Sequence, residues 1–175
     1  MGAIVAPVQL KVIEDIVQQG VDEGSKLWQP SWSCPKDGYF YPPTLFTDVT
    51  PSSTIAQVEI FGPVLPVKRY KNLDETLDYI NAHPRPLGLY YFGQDSNEEN
   101  KVLTHTTSGG VTVNDVIMHI AQEDLPFGGV GPSGMGSYHG HDGFKNFSHA
   151  KAVYTQSKTV SKLAAAMRPP YKKTS

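Results

Sequence analysis

Glu59 opens a run that is otherwise apolar, Glu59-Ile60-Phe61-Gly62-Pro63-Val64-Leu65-Pro66-Val67. A carboxylate carried unpaired into a buried strand costs on the order of several kcal/mol, so a partner is expected. Two readings are open from spacing alone. Glu59 caps a turn or pairs with Lys68 or Arg69, or it accepts hydrogen bonds from the hydroxyls of a ligand. The one cysteine, Cys34, lies between Ser33 and Pro35 with no histidine at a readable spacing and no helix start to lower its pKa, so a nucleophilic role is not expected. Gly129-Val130-Gly131-Pro132-Ser133-Gly134 fits the written form GxGxxG. A dinucleotide loop needs a strand before it and a helix opening within it, and neither flank fits. The better reading is a tight backbone loop that passes close to another part of the chain. His139, His141 and His149 cluster near Asp142, but not at recurrent metal-ligand spacing, and no metal is expected. His119 and His139 are expected to be hydrogen-bonded within the glycine-rich stretch.

These residues need elements to position them. Leu10, Ile13, Ile16 and Val17 place an apolar stripe on a helix over 7–19, which Gly20 or Gly24 would end. Tyr39 to Phe46 reads as a short extended segment on a sheet edge or in a loop, and 59–67 as a buried strand. Asn72 with Glu75 marks a helix start, followed by Leu73, Leu77 and Ile80 at helical spacing. A strand over 87–92 follows, then a helix opened at Ser96-Asn97-Glu98-Glu99 and closed by Gly109-Gly110, then a strand over 111–114. Strand, helix, strand, helix, strand at this spacing predicts a parallel βαβαβ unit, an α/β fold class. Regular patterning stops after Asn114, and a long glycine-rich loop of this kind usually wraps a functional site. The tail holds a candidate strand at Val153 and Tyr154 and a basic end.

Composition removes several function classes. With 15 basic against 17 acidic residues the formal net charge is -2, so neither nucleic acid nor an acidic membrane surface is an expected partner. The apolar runs are too short to span a bilayer and no basic leader precedes one, so a cytoplasmic protein is expected. One cysteine also leaves no disulfide framework.

Taken in order, Tyr39-Phe40-Tyr41-Pro42-Pro43-Thr44-Leu45, Glu59-Ile60-Phe61-Gly62-Pro63-Val64, Ser108-Gly109-Gly110-Val111-Thr112-Val113-Asn114-Asp115 and Leu125-Pro126-Phe127-Gly128-Gly129-Val130-Gly131-Pro132-Ser133-Gly134-Met135-Gly136 resemble the aldehyde dehydrogenase superfamily. Tyr138-His139-Gly140, Phe144, Phe147-Ser148-His149 and Arg168-Pro169-Pro170-Tyr171 resemble its coniferyl aldehyde dehydrogenase type. The resemblance implies oxidation of an aldehyde to a carboxylic acid, in which a cysteine thiolate adds to the carbonyl, hydride passes to NAD or NADP, and water hydrolyses the thioester. Glu59 then matches the glutamate on the nicotinamide-side ribose, and Phe61 the aromatic residue beside that ribose and ring. Tyr138 and His139 fall where substrate-tunnel residues are expected, and Asn114 matches a structural position.

The departures are equally informative. The resemblance implies that the catalytic cysteine, the activating glutamate, the oxyanion-hole asparagine and the dinucleotide-binding sheet lie farther upstream than Glu59 allows, and Cys34 cannot stand in for the nucleophile. No catalytic residue is therefore assigned. Val58 also stands where a second glutamate is usual. Residues 1–150 read as the carboxy-terminal part of the catalytic domain, and 151–175 as a tail with an oligomerisation strand. The expected partners are an aldehyde substrate in the complete enzyme, a second copy of the chain, or an amino-terminal fragment that completes it. The rival reading is a truncated, non-catalytic association module that pairs with a full-length relative.

Overall fold

The computed structural model describes residues 3–35, 37–156 and Pro169. The chain forms two compact units, Met1–Asn72 and Leu73–Ser175.

The first unit starts with helix α1, Pro7–Asp22, whose first-turn proline presets φ and lacks an N–H that would have no partner there. Ile13, Val17 and Gly20 form its buried stripe. The helix runs through Gly20 because a side chain is not wanted there: an added Cβ would sit 3.2 Å from the Phe46 ring. It stops at Gly24, φ 91°, where the Gly24 amide donates to Val21 O and the Ser25 amide to Gly20 O, each within 3.0 Å. This is a Schellman closure, which satisfies carbonyls that have no partner inside the helix.

Strand β1, Lys26–Trp28, pairs antiparallel with β2, Thr44–Thr47, and β2 pairs parallel with β3, Val64–Pro66. Alternation along β2 sends Thr44 and Phe46 inward and Leu45 outward. Short helix α2, Thr54–Gln57, joins β2 to β3 and buries Ile55. Ile13, Val17, Phe46, Ile55, Ile60 and Val64 make the core of this unit.

The second unit holds α3, Leu73–Asn81, β4, Gly88–Tyr91, α4, Ser96–His105, and β5, Gly110–Val113. Strands β4 and β5 are parallel, with Gly88 opposite Gly110 and Tyr91 opposite Val113. Helix α4 is capped by Asp95, whose carboxylate accepts from the amides of Asn97 and Glu98 at 2.8 and 3.2 Å. It ends at Thr106, whose hydroxyl donates to Val102 O. An ion pair between Lys101 and Asp74 ties α4 to α3. Asn114, φ 55°, extends the β4–β5 register by bonding the Gly93 N–H and C=O through its own amide, both at 2.9 Å.

Several expectations change. The strand expected over 59–67 shortens to β3, because Phe61 adopts φ 50° and Gly62 and Pro63 turn the backbone. It pairs parallel with β2, as β4 does with β5, so the expected parallel α/β character holds. Thr44–Thr47 is the central strand of its sheet, not an edge. Asp95 caps α4 one residue before the expected start, and Gly110 begins β5 instead of closing that helix. The stretch after Asn114 holds α5, Met118–Ala121, a 3-10 turn at Gly131–Ser133, and α6, Gly140–Asn146. Val153 and Tyr154 are exposed and form no strand, because no described segment offers the backbone partners a ladder needs. Except for Pro169, the Arg168 to Tyr171 motif lies outside the described residues. Among the described residues no helix is long and apolar enough to cross a membrane.

Candidate functional site

In the first unit the turn at 59–62 is pinned on its inner side and open on its outer side. Ile60 is buried, and its carbonyl accepts from Gln9 Nε2 of α1 at 2.9 Å. Gly62 lies so close to α1 that a Cβ would meet Ile13 Cδ1 at 2.5 Å. Pro63 O accepts from the Thr44 amide at 2.8 Å, which fixes the turn to the head of β2. With Ile60 held inward, Glu59 and Phe61 on either side of it project outward; Phe61 is 75 % exposed. Glu59 is exposed, so the desolvation cost of a buried carboxylate is not incurred. Phe61 holds a left-handed backbone that costs a bulky residue roughly 1–3 kcal/mol.

In the second unit the glycine-rich stretch wraps back on the strands. A Cβ on Gly128 would lie 2.0 Å from Gly136 O, and one on Gly109 2.3 Å from Gly128 O, so backbone approaches backbone with no room for a side chain. Ser133 closes the turn, its Oγ accepting from the Val130 amide at 2.9 Å and donating to Val130 O at 3.1 Å. This is the tight loop expected from the sequence, with no helix opening on a phosphate-binding turn.

The wrap brings Phe127 and Tyr138 into a two-bond antiparallel bridge, each amide donating to the other's carbonyl at 2.9 Å. Their rings meet edge to face at 5.4 Å, and Tyr138 meets His139 in the same way at 4.5 Å. Tyr138 is about half exposed. His139 sits at φ 78°, and its Nδ1 is buried without a hydrogen-bond partner among the described residues. The hydrogen bonds expected for His119 and His139 within the glycine-rich stretch are not made there: His119 is buried and bonds instead to β5, with Nδ1 at 2.7 Å from the Thr112 hydroxyl. Phe127 is the residue that sequence reasoning passed over. The signal for it is faint, a phenylalanine set between Pro126 and two glycines.

Cys34 is a free, half-buried thiol. Among the described residues no group of three or more His, Cys, Asp or Glu side chains is placed to hold a metal.

A profile described as the aldehyde dehydrogenase family matches residues 1–153. The chain belongs to the aldehyde dehydrogenase family. It is 62% identical over 130 residues to a probable coniferyl aldehyde dehydrogenase of Caulobacter vibrioides, covering 74% of this chain and 27% of that protein. To the mouse dimeric NADP-preferring aldehyde dehydrogenase it is 42% identical over 160 residues, covering 91% of this chain and 34% of that protein. The structure of an aldehyde dehydrogenase from Bacillus cereus in complex with NAD+ superposes with a TM-score of 0.81 at 30% identity, covering 90% of this chain and 32% of that one. The chain thus spans about a third or less of the relatives it matches. Within this aldehyde dehydrogenase chain Glu59 and Phe61 share one turn of the first unit, and Tyr138 and His139 share one aromatic cluster of the second.

Proposed function

We propose that the chain is the carboxy-terminal segment of an NAD- or NADP-dependent aldehyde dehydrogenase that oxidises aromatic aldehydes of the coniferyl type to carboxylic acids. The observation that carries this reading is the turn at 59–62, which holds an exposed carboxylate and an exposed aromatic ring outward from a rigid support. Such a turn fits a ribose and the flat ring attached to it. The exposed Glu59 carboxylate is an acceptor suited to a pair of ribose hydroxyls, where charge-assisted hydrogen bonds are the stronger kind. The Phe61 face gives the ring a surface to pack on. The nicotinamide, when bound, supplies the hydride acceptor.

Tyr138 and His139 form the wall for the substrate, and an aromatic wall suits an aromatic aldehyde through edge-to-face and offset contacts. The nucleophile is a different matter. Cys34, the one cysteine in the sequence, does not fall at the family nucleophile's place in the order of motifs, so on this reading the thiolate that attacks the carbonyl comes from outside these residues. We infer that the 175 residues do not turn over aldehyde unaided. An amino-terminal fragment, or a longer chain, would complete the site.

The test is NADH and NADPH formation from coniferyl aldehyde and from an aliphatic aldehyde. It is run on the chain alone and on the chain mixed with a fragment of a coniferyl-type relative carrying the cysteine segment. Activity confined to the mixture is the expected result. Turnover by the chain alone would show that a nucleophile has been missed. No activity in either would favour the second reading, a non-catalytic association module, for which the exposed Phe147, Val153 and Tyr154 are the supporting observation.

A further inference from the structure

His119 does not belong to the substrate wall, yet within its unit it touches β4, β5 and the residue that carries that wall. Its ring occupies a slot made by two glycines that face each other across the parallel strands. A Cβ on Gly110 would meet His119 Cδ2 at 2.5 Å, and one on Gly88, the register partner of Gly110, would meet the ring at 3.6 Å. The Thr112 hydroxyl holds the residue at two points, accepting from the His119 backbone N–H at 3.2 Å and lying 2.7 Å from Nδ1. A side chain held through both its backbone and its ring has little freedom to rotate. The ring also meets Tyr90 at 5.9 Å and Phe127 at 6.0 Å. Phe127 in turn carries the two-bond bridge and the edge-to-face contact that hold Tyr138.

We propose that His119, oriented by Thr112, is a positioning residue that sets the Tyr138 and His139 wall through Phe127. The proposal rests on the reading of those two residues as the aldehyde-binding wall. Packing alone would not need the hydroxyl, since any side chain that filled the glycine slot would support Phe127. Orientation does need it, because without the two bonds the ring can turn within the slot and present a different edge to Phe127. A contiguous set of packed rings, each with a restricted orientation, is the kind of network through which such coupling travels.

The experiment is a set of aromatic proton–carbon spectra of the whole chain, first without ligand. Thr112→Val keeps the volume and removes the hydroxyl. The expected result is a shift of the His119, Phe127, Tyr138 and His139 ring signals, with the Val102 methyls of α4 unmoved, and recovery of the original positions in Thr112→Ser. Unmoved Tyr138 and His139 signals in folded Thr112→Val would overturn the proposal and leave His119 a simple space filler. Should Thr112→Val fail to fold, Thr112→Ala gives the same two outcomes.

A second arm adds coniferyl aldehyde in the presence of the amino-terminal fragment that completes the site. It should move the Tyr138 and His139 signals of the unaltered chain, and Thr112→Val should weaken its binding by about fivefold. If the aldehyde moves neither signal while the ligand-free shifts occur, the wall is not a substrate wall and the positioning role for substrate is refuted, although the ring coupling stands.

Discussion

A phenylalanine at φ 50° brings its Cβ close to the following carbonyl oxygen, and Phe61 does so with most of its ring in solvent, where packing cannot compensate. Phe61→Gly should therefore raise the unfolding free energy by about 1 kcal/mol, the strain released less the extra entropy of glycine. Phe61→Ala, which keeps the Cβ, should stay within about 0.5 kcal/mol of the parent. Urea unfolding followed by tryptophan fluorescence reads this locally, since Trp28 and Trp32 both lie in the same unit as Phe61. A residue whose removal stabilises the fold but abolishes cofactor affinity in the complemented enzyme is retained for binding. Asp48 gives a second prediction at this scale. Its hydrogen bond to Lys26, then the charge of Lys26, hold its carboxyl below the ordinary value of 3.8. A depressed carboxyl contributes stability above its ordinary pKa and loses it as pH falls through the folded-state value. In Lys26→Met the Asp48 carboxyl should titrate higher, nearer 3.8, in a carbon-detected NMR titration.

At the scale of elements, Asp95 is the replaceable part with the clearest effect. Removing its two bonds to the first turn of α4 in Asp95→Ala should cost about 1 kcal/mol and speed hydrogen exchange at the Asn97 and Glu98 amides. Ser96→Ala should change neither. The sequence marked this helix but placed the cap one residue late, because serine and aspartate are both good caps and only the backbone shows which one turns. Helix α1, β4, α4 and β5 were legible from periodicity and turn residues. Strand β1 was not, since Lys26-Leu27-Trp28 is short and exposed along its length. Nor was the pairing of β3 with β2, which depends on a left-handed phenylalanine that no propensity argument anticipates. Of the candidate site, Glu59 stood out as a carboxylate opening an apolar run, while its ligand role and the roles of Phe61, Tyr138 and His139 came from motif resemblance. Thr112 and Phe127 became visible only when the chain folded, because their roles are made by neighbours far away in sequence.

For the molecule as a whole, the second unit presents a parallel pair, β4 and β5, with no third strand among the described residues. Two strands are marginal without further pairing or cover. Amides of Gly88–Tyr91 and Gly110–Val113 should accordingly exchange quickly in the isolated chain. They should slow when an amino-terminal fragment of a coniferyl-type relative is added. Mass-spectrometric hydrogen exchange on both samples checks this, and unchanged rates would argue that the fragment does not complete the sheet.

The backbone contacts at Gly109 and Gly128 also constrain the gene that encodes them. Any single-base change at the first or second position of a glycine codon yields a residue with a Cβ, or a stop. At these two sites that carbon would fall inside a carbonyl oxygen. Silent third-position changes are the one substitution both codons can absorb, so a saturation library selected for folded protein should show them emptied of every other variant.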